Sequence, residues 1–371
     1  MPKKANNWHF ARPKLAKTYL DLFEVGLTSA RGLFARRRMG KTEFLKQDFI
    51  PAAEARGYVA VYVNLWDLEL DPATALVSEF YKAVEPKGFD RVWAHFKRPI
   101  KKVKASGKVP GIGEGTVEAE LADDNRLSGT LLMEAVRAFD KTKIKMILVI
   151  DEAQVLAYDD NAHFAHALRA ALDIRKDRIK VIFAGSSEPT LRRMFGVSSE
   201  PFYNWAPLEP FELLGRDFVE AMVERVNTIS KYELSVVDAL HAFSQLKNTP
   251  EFFRRYVEHY VSNPLDGSAA ALAATKTRVF SDEGFKQQWD ALLAADKVIL
   301  AMLAGGVTDL HSKAALSRLG SELGIGDAVN KNTIQNALRR LSDKNIVTKI
   351  DYGLYQFEDE ALADWVRHRD A

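Results

Sequence analysis

Four short, largely apolar runs punctuate the first half of the chain: residues 31–35, Gly57–Leu65, Lys145–Ile150 and Ile179–Gly185. Runs of this length that end in turn residues and lack strict alternation predict strands of a parallel sheet covered on both faces. Segments of helical spacing lie between them, with an amphipathic stretch over 43–50 after the first run and another over 188–195 after the last. Strand and helix in alternation predict an α/β layered sheet. The run at 57–65 follows the first helix and is expected beside the first strand.

The second half changes character. From Pro210 to Val261 helical periodicity dominates, and Ser262-Asn263-Pro264-Leu265-Asp266-Gly267-Ser268 breaks the chain before an alanine-rich helix. Three further amphipathic stretches follow, over Trp289–Leu303, Ser312–Leu323 and Lys331–Lys344. Two short strands come after them, Ile346–Ile350 and Leu354–Phe357, joined by Asp351-Tyr352-Gly353, a hairpin signal. Three helices and a hairpin in that order predict a winged helix. The expected division is therefore a core over 1–208, a helical segment over 209–284 and a winged-helix domain over 285–371.

At 371 residues, with 47% apolar and 27% charged positions, the chain is long enough for two or three packed domains and too apolar for large-scale disorder. It has no cysteine, which excludes disulfides and thiolate metal sites and fits a reducing compartment. The first residues lack the apolar core of a secretory signal, and no apolar run reaches the length of a membrane span, so a cytoplasmic protein without a membrane partner is expected. A formal net charge of +2 leaves any nucleic-acid contact to local patches. One such patch, Arg98 to Gly115, is rich in lysine and glycine and passes into an alternating stretch, Thr116–Leu121. It reads as an inserted loop or hairpin over about 98–121, serving either phosphate or partner contact or simply a solvated insertion.

The chemistry concentrates at the ends of the apolar runs. The first strand enters Ala35-Arg36-Arg37-Arg38-Met39-Gly40-Lys41-Thr42. A turn closing in Gly-Lys-Thr before a helix reads as a phosphate loop, in which backbone N–H groups and the positive helix end face an anion. Gly40 lets the backbone approach, Lys41 reaches the β- and γ-phosphates, and Thr42 completes a magnesium site. Arg37, Arg38, Met39 and Glu43 flank this turn as further nucleotide contacts. Ala35 stands where the pattern has its first glycine, which the turn tolerates only if residue 35 keeps a negative φ. The run at 145–150 ends in Asp151-Glu152, placing Asp151 to hold magnesium through water and Glu152 to polarise the water that attacks the γ-phosphate. The run at 179–185 ends in Ser186-Ser187, one hydroxyl suited to sensing the γ-phosphate and the other to capping the next helix.

These three segments together resemble the archaeal-type P-loop ATPases, near the border of the AAA+ and STAND groups. The resemblance implies a parallel five-stranded core, a helical lid and a C-terminal winged helix, with ATP or ADP and Mg²⁺ as cofactors and a homo-oligomeric assembly. It also implies an arginine after the sensor strand acting on a neighbouring subunit's nucleotide, here Arg192 or Arg193. A second arginine is implied in the lid, where Asn248-Thr249-Pro250-Glu251-Phe252-Phe253-Arg254 matches and Arg254 takes that place. In the winged helix the third helix carries Lys331, Asn332, Thr333, Gln335, Asn336 and Arg339, side chains suited to DNA. The acidic run Glu358-Asp359-Glu360 after the hairpin opposes phosphate, and winged helices also bind proteins. Two functions follow: a Mg-dependent ATPase acting as a nucleotide-controlled switch on DNA, or a nucleotide-dependent scaffold whose winged helix holds a partner protein. A small-molecule kinase is a third, opposed by the Asp-Glu pair and the extra domains.

Overall fold

The computed structural model describes residues 8–66, 71–84, 131–279, 282–324, 331–344, 346–351 and 353–369. The expected insertion at 98–121 lies outside them. The chain divides into two compact units, one made of Ala11–Ala35 and Lys41–Phe211, the other of the described parts of Met1–Phe10, Arg36–Gly40 and Glu212–Ala371.

The first unit opens with α1 (Pro13–Glu24) and is built on five parallel strands, β1 (Ala30–Phe34), β2 (Tyr58–Asn64), β3 (Lys145–Asp151), β4 (Ile179–Gly185) and β5 (Leu208–Pro210). Their order is β2-β3-β4-β1-β5. The expectation that the strand at 57–65 lies beside the first strand is corrected here: β2 pairs with β3 at the sheet edge, and β4 occupies the place next to β1. All seven residues of β4 and all but Lys145 of β3 are buried, which is why both read as unbroken apolar runs. At Gly32 a β-carbon would stand 2.8 Å from Leu208 Cδ1 and 3.1 Å from Phe195 Cε2, so a larger residue there would require these side chains to shift.

Residues 41–55, here α2, run as one helix in three pieces: Lys41–Phe44, a wide turn over Leu45–Phe49 with i→i+5 bonding, and Ile50–Ala55. Pro51 explains the wide turn. Inside a regular helix its ring would collide with the carbonyl four residues back and leave that acceptor without its donor, and an inserted residue relieves both. The sheet is covered by α3 (Pro72–Val84), α4 (residues 131–140), α5 (Ala162–Asp173) and α6 (Glu188–Gly196). Phe183 of β4 packs edge-on against Phe195, Phe202 and Trp205 at centroid distances of 5.5, 5.1 and 5.6 Å.

The second unit is helical apart from one hairpin. Helices α7 (Arg216–Ile229), α8 (Val236–Gln245), α9 (Pro250–Ser262) and α10 (Gly267–Val279) share a core of Phe218, Val226, Phe243, Phe253 and Tyr256. Then come α11 (Asp282–Asp290), α12 (Ala294–Ala304), α13 (Lys313–Glu322), α14 (Lys331–Asp343), the antiparallel pair β6 (Val347–Asp351) and β7 (Leu354–Phe357), and α15 (Glu360–His368). Trp289, Leu300, Leu319, Leu338, Val347 and Leu362 close a separate core. This is the winged-helix arrangement that the periodicity implies.

Asp296 anchors that module. It is fully buried, its Oδ1 accepts from Arg340 Nη2 at 2.5 Å, and its Oδ2 accepts from the Leu293 backbone N–H at 3.3 Å at the start of α12. Replacing it leaves the guanidinium of Arg340 without its partner and the helix start uncapped. Asp296→Ala is expected to destabilise the C-terminal module by about 2–4 kcal/mol, the lower end reflecting the partly exposed Arg340 side chain. Urea unfolding followed by tryptophan fluorescence checks this, and an unchanged midpoint would refute it.

Candidate functional site

Because β4 sits between β1 and β3, the C-terminal tips of three neighbouring parallel strands carry the Gly-Lys-Thr turn, Ser186 and Asp151-Glu152. Ligands of open parallel sheets sit at this edge. The turn after β1 uses two residues in the left-handed region, Arg38 (φ 67°) and Gly40 (φ 84°). Ala35 keeps a negative φ, as its methyl group requires, and its N–H donates to the Gly185 carbonyl at 3.3 Å.

Lys41, the first residue of α2, is only 6% exposed. Among the described residues its one hydrogen bond runs from Nζ to the Ala35 carbonyl at 3.5 Å. A nearly buried ammonium with so weak a partner is an unmet demand for an anion. Beside it, Thr42 Oγ1 donates to Asp151 Oδ2 at 2.6 Å, and the Tyr62 hydroxyl of β2 donates to the same oxygen at 2.8 Å. Asp151 is 1% exposed, and its Oδ1 accepts from the Glu152 backbone N–H at 3.1 Å. Burial and the adjacent Asp151 carboxylate push the Tyr62 hydroxyl well above the ordinary tyrosine range, which keeps it a donor.

Glu152 adopts the left-handed conformation (φ 55°), turning the chain sharply into the short helical turn Ala153–Ala157. Its Oε2 accepts from Ser186 Oγ at 2.9 Å and from Gln154 Nε2 at 2.7 Å. Gln154 Nε2 also lies 3.3 Å from Ser186 Oγ, so serine, glutamine and glutamate form a closed triangle. Gln154 is fully buried against Gly185, where a β-carbon would stand 2.3 Å from its Oε1. Ser187 makes a different bond, to the Thr190 hydroxyl at 2.9 Å within the first turn of α6, and its side chain caps no backbone N–H there, contrary to the capping role expected of it.

A hydroxyl and a carboxylate in contact, next to a buried lysine, are the hard oxygen donors that magnesium takes from a protein. No group of three His, Cys, Asp or Glu side chains able to hold a metal occurs among the described residues. Were magnesium held at Thr42 and Asp151, water and phosphate oxygens would have to complete its shell, as suits this ion.

The expected residues fall into two groups. Lys41, Thr42, Asp151, Glu152 and Ser186 converge in the first unit. Of the loop arginines, Arg38 is engaged within the second unit, where its Nε lies 3.6 Å from Glu251 Oε2 and its guanidinium 5.2 Å from the Phe252 ring. Arg254 Nη2 donates to the Trp8 carbonyl at 2.6 Å. Met39 is buried and Glu43 half-buried. Arg193 is half-buried and held inside its own chain by the Ala157 carbonyl and by Glu200 at 3.1 Å, an arrangement unlike that of a finger extended to a neighbour. Arg192 is the more exposed of the two and pairs with Glu188 at 2.6 Å. On α14, Lys331, Asn332, Gln335, Asn336 and Arg339 are exposed on one side, with Thr333 at its margin, while Ile334, Ala337, Leu338 and Leu341 face the core. Tyr62 and Gln154 are additions that the sequence reading missed. A tyrosine at alternate spacing in β2 and a polar residue two places after an acidic strand end were the only signals.

No protein-family model matches this sequence, and no curated protein matches it. Solved structures do. The Walker-type ATPase PABY2304 of Pyrococcus abyssi is 17% identical, with a TM-score of 0.52 over 99% of this chain and 98% of its own. The Aeropyrum pernix ORC2 protein in its ADP form is 13% identical, with a TM-score of 0.51 over 99% of this chain and 98% of its own. The Aeropyrum pernix ORC1 protein, solved in complex with DNA, is 14% identical, with a TM-score of 0.50 over 100% of this chain and 93% of its own. With its strand order, its Gly-Lys-Thr turn and its C-terminal winged helix, the chain has the fold of the archaeal-type P-loop ATPases.

Proposed function

We propose that this protein binds and hydrolyses ATP with magnesium and uses nucleotide state to control its engagement with DNA through the winged helix. The observation that carries the reading is the convergence of a nearly buried, weakly partnered Lys41 with the hydrogen-bonded pair Thr42 and Asp151. Gly40, Lys41 and Thr42 form the phosphate seat. Lys41 neutralises the β- and γ-phosphates, and Thr42 and Asp151 would hold the metal, which would supply charge neutralisation on the transferred phosphoryl group. Glu152 takes a proton from the attacking water. Ser186 and Gln154 hold its carboxylate in one orientation until that water arrives, and Tyr62 fixes Asp151. The likeness to structures described as a Walker-type ATPase, as an ADP form and as a DNA complex supports this assignment. The exposed polar side of α14 supports DNA over a protein partner, because amide and guanidinium groups match base edges and phosphates. Assembly into oligomers is part of the same proposal.

Two measurements test it. Lys41→Ala should weaken ATP binding about 30- to 100-fold in a direct titration, the cost of charge-assisted phosphate bonds. Glu152→Gln should bind ATP within about twofold of the unaltered protein while turnover falls by roughly two to four orders of magnitude. Unimpaired ATP binding by Lys41→Ala would end the phosphate-seat assignment.

For the winged helix, Arg339→Ala is expected to weaken binding to a preferred duplex by roughly 1–3 kcal/mol and to relax its sequence preference. Lys331→Ala should weaken all duplexes alike and lower the salt slope by about 1. Electrophoretic mobility at several salt concentrations distinguishes these outcomes, and a binding curve indifferent to salt would favour a protein partner.

A further inference from the structure

Tyr62 is fixed by both a strand and a helix. On β2 it is the Cα partner of Val149, two residues before Asp151 on β3, so alternation puts its side chain on the same face of the sheet as the Asp151 carboxylate. Lys46, from the wide turn of α2, lies over the ring with Nζ 4.2 Å from its centroid. The half-buried ring is held there while its hydroxyl donates to Asp151 Oδ2.

That bond decides which oxygens of the site stay open to a cation. A carboxylate oxygen offers about two lone pairs, and on Oδ2 both are taken, by Thr42 Oγ1 at 2.6 Å and by the Tyr62 hydroxyl at 2.8 Å. Oδ1 accepts the Glu152 N–H at 3.1 Å and keeps the other of its pair. The exposed Thr42 has committed its hydrogen to Asp151 and retains its own lone pairs for a ligand.

We infer that Tyr62 is a positioning residue that shields Asp151 Oδ2 from direct metal ligation and so makes the site prefer magnesium to calcium. The inference rests on the nucleotide and metal reading proposed above and assigns its cation selectivity to a residue. Magnesium sheds water reluctantly and is served by a carboxylate that bonds to its water shell, for which the open lone pair of Oδ1 suffices. Calcium takes about six to eight oxygens and readily binds carboxylates directly. Direct contact at Oδ2 displaces a hydroxyl, and with Thr42 itself a ligand, that hydroxyl is the one on Tyr62. Calcium therefore loses a hydrogen bond to a charged group that magnesium leaves in place.

Calorimetric titration with ADP of the unaltered protein and of Tyr62→Phe, in magnesium, in calcium and in chelator without metal, tests this. Phenylalanine keeps the ring under Lys46 and removes only the hydroxyl. The ratio of calcium-ADP to magnesium-ADP affinity is expected to rise about tenfold in Tyr62→Phe, the equivalent of that one hydrogen bond. ADP affinity in chelator should stay within about twofold, which also shows that the phosphate seat is folded. A merely structural role for Tyr62 would weaken both metal complexes alike, and an unchanged or lowered ratio would overturn the inference while leaving the nucleotide reading intact. If the unaltered protein binds ADP under none of the three conditions, the nucleotide reading fails and this inference fails with it.

Discussion

The hydrogen bond from Thr42 to Asp151 joins residues 109 positions apart in the chain and at the tips of strands that are not neighbours. It exists because β4 lies between β1 and β3 with all three strands parallel, so that their carboxyl ends open on one edge. Every other feature of the site follows from that edge. Ser186 arrives from the intervening strand, Glu152 from the residue after Asp151, and Lys41 from the residue before Thr42. Parallel pairing in turn requires helical crossovers, which cover both faces and make β3 and β4 uniformly apolar.

The site combines opposite charges that are each nearly buried. Asp151 accepts from the hydroxyls of Thr42 and Tyr62 and from a backbone N–H, none of them a formal cation. Lys41 has one long bond to a carbonyl. Such an arrangement is costly in the absence of a ligand, and a cation at one end and a polyanion at the other would relieve it. Glu152 contributes a second cost through its left-handed backbone, on the order of 1 kcal/mol, which the triangle with Ser186 and Gln154 offsets.

Much of this was legible from residue order. Apolar runs ending in Gly-Lys-Thr, Asp-Glu and Ser-Ser mark the strand tips because burial on both faces leaves polar residues only where a strand ends. The hairpin at 346–357 was equally plain, since Asp-Tyr-Gly is turn chemistry between two apolar segments. Strand order was not legible: uniformly apolar parallel strands carry no mark of their neighbour, and nothing in the residues of β2 distinguishes a place beside β3 from one beside β1. Nor were the directions of the loop arginines. In a glycine-poor phosphate turn they suggest nucleotide contact, and turn composition gives no sign that Arg38 lies beside Glu251 and over the Phe252 ring. Gln154 escaped notice because its role depends on a gap left by a residue on another strand.

That gap carries a consequence for how the chain can vary. Gly185 has no space for a methyl group because the amide of Gln154 fills it, and Gln154 in turn reaches Glu152 and Ser186 only by lying against that bare α-carbon. A larger residue at 185 evicts the amide, and a shorter one at 154 opens a void beside the strand. Sequences descended from a common ancestor with this protein should therefore exchange the two positions as a pair, and a lineage that keeps the glutamine should keep the glycine.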